Sequence, residues 1–156
     1  MRGAASMIAV CVVAGGCATT PAGRGVPITV VTAPGGATQA LVAVFVDDEG
    51  PLVFVVDTGA AESLIDIDTV VRLGLRPVAG SEREVTGLDA ATDAVEVDVG
   101  RWRMGDVDLP RTRVVSVDIA QPTTGTQIDG LLGSDVLSTF GTVTIDYDDE
   151  LLVVGA

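Results

Sequence analysis

Carboxylates are the residues best placed to do chemistry in this chain, because its sequence offers few alternatives. It carries 22 Asp and Glu and nine cationic residues, all of them Arg, with no Lys and no His. Without histidine there is no Ser-His-Asp or Cys-His relay and no ordinary His-containing zinc site. Chemistry must come from carboxylates, hydroxyls, arginine or the backbone. Asp57-Thr58-Gly59-Ala60 combines the first two with a glycine. A rigidly held carboxylate can act as general base or acid. The neighbouring hydroxyl can lock the loop, and Gly59 admits a close backbone approach. The segment follows Leu52-Val53-Phe54-Val55-Val56, a continuous apolar run expected of a strand buried on both faces. Only one Asp-Thr-Gly is present.

Other polar clusters read more simply. Asp129 and Asp146 stand near strand ends and suit turn capping or solvation better than a second catalytic role. The acidic runs 47–49 and 148–150 are solvated hairpin tips. Arg101-Trp102-Arg103 could grip a peptide or a lipid headgroup, but a hairpin turn whose Trp covers a strand face is the simpler reading.

The elements that position Asp57 are mainly strands. The apolar residues are chiefly Val, Leu, Ile and Ala, in short runs punctuated by 19 glycines, which favours short strands and tight turns. Strands are expected at Ile28–Val31, Ala40–Val46, Leu52–Val56 and Ser63–Ile65, with an acidic hairpin at 47–50. Asp68 could cap a short helix running through Leu73 and stopping at Gly74. Arg83–Leu88 and Ala94–Val99 read as a hairpin with its tip near Gly87 to Thr92. A further hairpin turns at Arg101–Gly105 and leads to a strand at Arg113–Val117. Ile128–Leu132 is apolar, Ser134 suits the N-cap of a brief helix over Asp135–Phe140, and Val143–Asp146 with Leu151–Val154 closes the chain. Residues 28–156 form one domain.

The preceding residues read as an address. Arg2 and the apolar run Met7 to Ala14 are too short to span a bilayer, which takes about 20 residues, and fit a signal peptide over residues 1–16. Ala14-Gly15-Gly16-Cys17 resembles a bacterial lipobox, which implies lipidation at Cys17 and anchoring outside the cytoplasm, or secretion if the lipobox is not used. Residues 17–27 then form a flexible tether. Cys11 would leave with the signal, so Cys17 has no partner for a disulfide. The net charge of −13 argues against a nucleic-acid partner.

Asp57-Thr58-Gly59-Ala60, followed far along the chain by Leu131-Leu132-Gly133 and a short helix, resembles the retropepsin-like aspartic protease family of clan AA. The likeness spans nearly all of residues 28–156. It implies an all-β fold with one or two short helices, a closed barrel supplying one lobe per protomer. By the same resemblance Asp57 is the catalytic carboxylate and Thr58 bonds across a homodimer. Gly59 lets the backbone approach the carboxylates and Ala60 lines the floor. Thr86, Gly87 and Leu88 belong to a flap, and the strand Leu131, Leu132 and Gly133 supports the loop. The implied activity is endopeptidase cleavage of a peptide or protein substrate with no metal or organic cofactor. A non-catalytic lipoprotein binding peptides or envelope partners is the alternative.

Overall fold

A computed structural model describes residues 23–32, 36–86, 91–122 and 125–155. The first strand, β1 (Arg24–Thr32), starts within the stretch read from the sequence as a tether. Its first half, Arg24–Pro27, pairs antiparallel with β12 (Leu151–Val154), and Ile28–Thr32 pairs with β2 (Thr38–Val46). The signal, Cys17 and the start of the tether lie outside the described residues.

β2 turns back into β3 (Glu49–Val56) through Asp47 and Asp48, both with positive φ, the pairing that matches strand twist in a two-residue hairpin. β3 lies between β2, antiparallel, and β10 (Gly130–Leu132), parallel. Leu52, Phe54 and Val56 face the core, while Val53 and Val55 are only half-buried. The strand therefore alternates, and the expectation of burial on both faces is corrected: one face packs and the other is partly covered.

β4 (Leu64–Asp66) runs directly into α1 (Ile67–Leu73). The cap is Asp66, not Asp68. Asp66 is extended, and its carboxylate accepts the Asp68 N–H at 3.1 Å. Gly74 closes the helix in the left-handed conformation at φ 64°. β5 (Arg83–Thr86) and β6 (Ala91–Val99) form the expected hairpin, with Arg83 opposite Ala94 and Thr86 opposite Ala91. Its tip, including Gly87 and Leu88, lies outside the described residues.

Trp102 sits in a strand, β7 (Trp102–Met104), and the turn falls at Gly105-Asp106 before β8 (Val107–Asp108). The turn is later than expected because Trp102 pairs with Val46 and is buried. Its indole N–H donates to the Pro110 carbonyl at 2.7 Å. β9 (Thr112–Val117) joins β4 to β6. α2 (Ser134–Leu137) continues as a 3-10 turn over Ser138–Phe140, and β11 (Val143–Asp146) pairs with β12. Gly133, not Ser134, is the N-cap of α2, with no side-chain capping bond.

Pairing runs in the order β11-β12-β1-β2-β3-β10-β4-β9-β6-β5, with β7 attached to β2 and β8 to β7. The fold is all-β with two short helices, as expected. The sheet is an open path rather than a closed barrel, because β11 and β5 end it without pairing to each other. The core is formed by residues such as Val42, Val44, Phe54, Ile65, Met104, Leu132 and Leu152. Phe54 and Trp102 meet edge-on inside it, with ring centroids 6.4 Å apart.

Candidate active site

Asp57 is the first residue past β3. Its N–H donates to the Leu132 carbonyl at 3.0 Å, so the parallel β3–β10 ladder ends at this residue. Its Oδ1 accepts the Gly59 N–H at 2.9 Å, and its carbonyl accepts the Ala60 N–H at 3.3 Å. The side chain is thereby aimed by its own loop while it remains half-buried. A Cβ at Gly59 would stand 3.3 Å from Asp57 Oδ1, tight enough to disturb that bond. Thr58 is exposed, and among the described residues its side chain makes no hydrogen bond.

The Leu131-Leu132-Gly133 segment lies against this loop, as expected. Ser134 N–H donates to the Ala60 carbonyl at 2.8 Å. A Cβ at Gly133 would come within 2.6 Å of the Glu62 carbonyl carbon and oxygen, so only glycine permits this contact. The two segments meet through backbone, which holds the loop to a fixed geometry.

A side-chain bridge reinforces the contact. Ser63 is fully buried; its Oγ donates to Asp135 Oδ1 at 2.7 Å and accepts the Gly133 N–H at 2.9 Å. Neither Ser63 nor Asp135 stood out in the sequence as a positioning residue. Ser63 lies six residues after Asp57 and Asp135 two after Gly133, so only the crossing of the two segments brings them together.

Asp129 differs from both roles expected of it. It is buried, and three donors converge on its carboxylate: Val53 N–H at 2.8 Å, Thr69 Oγ at 2.9 Å and Arg72 Nη2 at 2.7 Å. Its N–H also donates to the Val53 carbonyl, and its carbonyl accepts the Asp66 N–H. It therefore ties β3, β4 and α1 together just before β10. Asp146 accepts the N–H groups of Asp148 and Asp149, the turn-capping role expected of it.

The hairpin reaches the site at its foot. Arg83 Nη2 pairs with Glu62 Oε1 at 2.7 Å, joining β5 to the loop beyond Asp57. The hydrogen bond to Glu62 holds the Arg83 guanidinium above its ordinary value, opposed by slight burial and aided by the charge of Glu62. Of the flap residues expected, Thr86 ends β5. Among the described residues no cluster of three or more candidate metal ligands occurs.

A family model described as an aspartyl protease matches residues 42–136. No protein of curated function is matched. A retropepsin-like aspartic protease from Rickettsia conorii is similar in structure, with a TM-score of 0.51 at 16% identity over 90% of this chain and 96% of that one. The retroviral protease-like domain of Ddi1 from Leishmania major gives a TM-score of 0.55 at 15% identity, over 73% and 86% of the two chains. EIAV protease in complex with the inhibitor HBY-793 gives 0.50 at 20% identity, over 69% and 91%. At these identities the likeness is one of fold, and the fold is retropepsin-like.

Proposed function

This chain belongs to the aspartyl protease family, and from that membership we propose that it is an aspartic endopeptidase whose active site joins Asp57 from each of two identical protomers. One observation carries the proposal: a single Asp-Thr-Gly loop, clamped by β10 and α2, presents a half-buried carboxylate at the end of a core strand. One such loop supplies half of a carboxylate pair. The exposed Thr58 hydroxyl is available to bond with its counterpart across a two-fold axis, and Ala60 would floor the cleft beside the substrate.

Two carboxylates about 3 Å apart cannot both ionise easily, so they share one proton. The ionised member takes a proton from water as the water oxygen attacks the peptide carbonyl carbon. The protonated member hydrogen-bonds to the carbonyl oxygen and stabilises the tetrahedral intermediate. The C–N bond then breaks as the nitrogen is protonated, and amine and acid leave. No cofactor is required. The β5–β6 hairpin, through Thr86, Gly87 and Leu88, would cover the bound peptide. Cys17 would carry a lipid anchor that places the site outside the cytoplasm.

A degenerate peptide-library digest by the full chain, with Asp57→Asn alongside and a pepstatin-type inhibitor as control, tests the proposal. Cleavage by the parent alone is expected. Equal cleavage by both chains would refute it.

A further inference from the structure

Away from Asp57, an apolar groove runs between α1 and the sheet. Ile67 and Val71 of α1, Leu75 and Pro77 beyond it, and Val95 and Val97 of β6 line it, and its volume is about 340 Å³. Small-molecule sites begin at about this size. Two features set the groove apart from ordinary helix-on-sheet packing. Ile67 and Val71, one helical turn apart, are two of the three large hydrophobic residues left exposed among the described residues, at 44% and 75%. Ser116 of β9, 2% exposed, also lines the groove. Its Oγ is the one buried side-chain polar atom among the described residues without a hydrogen-bond partner.

An unpartnered buried hydroxyl is costly, and alanine would fit in the same space without that cost. Water answers the need poorly. A buried water is held by two to four polar partners, whereas the other side chains lining this groove are apolar. The matching occupant is mostly hydrocarbon and brings a single acceptor.

We propose that the groove between α1 and β6 binds a small neutral molecule, a compact hydrocarbon body with one carbonyl group that accepts from Ser116 Oγ. The bound molecule buries its body against Val71, Val95 and Val97. It also braces α1 against β6, a strand of the β5–β6 hairpin. The inference stands apart from the catalytic reading, since none of its residues belongs to the Asp57 loop.

The test uses the full chain and two probes of one shape, cyclohexanone and cyclohexane, followed by backbone amide NMR shifts. Cyclohexanone should produce saturable shifts at Val95, Val97 and Ser116 and bind about fivefold tighter than cyclohexane, the ratio one ordinary hydrogen bond gives. Ser116→Ala, which removes the unpartnered hydroxyl and should not impair folding, should abolish the preference for cyclohexanone or reverse it, because the ketone oxygen then has no donor in the groove. Val71→Glu, at an exposed helix position, should abolish binding of both. Equal affinity of the two probes in the parent chain would overturn the proposal. So would the absence of saturable shifts, or saturable shifts confined to another part of the chain.

Discussion

The carboxylate of Asp57 is aimed by bonds that its own neighbours make: Gly59 N–H to Oδ1, Ala60 N–H to its carbonyl, and its N–H to Leu132. Replacing the carboxylate by an amide leaves the backbone bonds in place but removes the group that, on the proposed mechanism, would accept a proton from water. Asp57→Asn should therefore reduce cleavage by at least about a thousandfold, within the range that positioned acid–base groups contribute, while the urea midpoint stays nearly constant. Peptide hydrolysis and urea unfolding of the same preparation check both halves. Ser63 makes the opposite prediction. Ser63→Ala strips an acceptor from Gly133 N–H and a donor from Asp135, a loss of about 1–3 kcal/mol for a buried group. It should lower stability first and activity through it. Asp129 and Arg72 share one ion pair unequally, since the Asp129 side chain is 8% exposed and Arg72 52%. Asp129→Ala should cost about 3 kcal/mol, because three donors lose their acceptor in a buried place. Arg72→Ala should cost clearly less. Equal losses in urea unfolding would contradict this account of Asp129.

At the level of elements, the loop depends on how closely β10 and the start of α2 approach it. Gly133→Ala inserts a methyl group 2.6 Å from the Glu62 backbone and should cost about 1–3 kcal/mol by overpacking. Because the displaced segment is the one bonded to Ala60 and Asp57, cleavage should fall further than the stability loss explains, which paired stability and kcat measurements would reveal. Much of this arrangement was legible in advance. The apolar run before Asp57, the turns at Asp47-Asp48 and Gly74, and the Leu131-Leu132-Gly133 strand are local patterns, and local patterns survive folding. What could not be read depends on partners distant in sequence. Asp66 and Asp68 are equally good caps by type. The choice of Asp66 is fixed by its extended backbone and by Ile119 N–H, which bonds its other oxygen. Asp129 looked like a turn residue because Thr69, Arg72 and Val53 reach it only after β3, α1 and β10 assemble. The tether ends sooner than composition suggests, since Arg24–Pro27 finds β12 at the far end of the chain.

For the whole molecule, a single Asp-Thr-Gly makes activity, on the proposed function, a property of two chains. Turnover per chain should fall on dilution through the dimer dissociation range, and sedimentation over the same concentrations should show the matching change in mass. The pH–rate profile should fall toward alkaline pH as the pair loses its shared proton. Arg83 cannot produce that limb, because a guanidinium stays charged at any working pH and its bond to Glu62 shifts it further upward. A flat alkaline profile would oppose the shared-proton mechanism. The central claim, that one active site takes Asp57 from each of two chains, is tested most directly by mixing. A fixed amount of parent chain is titrated with Asp57→Asn chain under conditions of subunit exchange, and peptide cleavage is followed. If both carboxylates are needed, an equal amount of the variant should halve the activity and excess should drive it toward zero. Activity that stays constant as the variant is added would contradict the account.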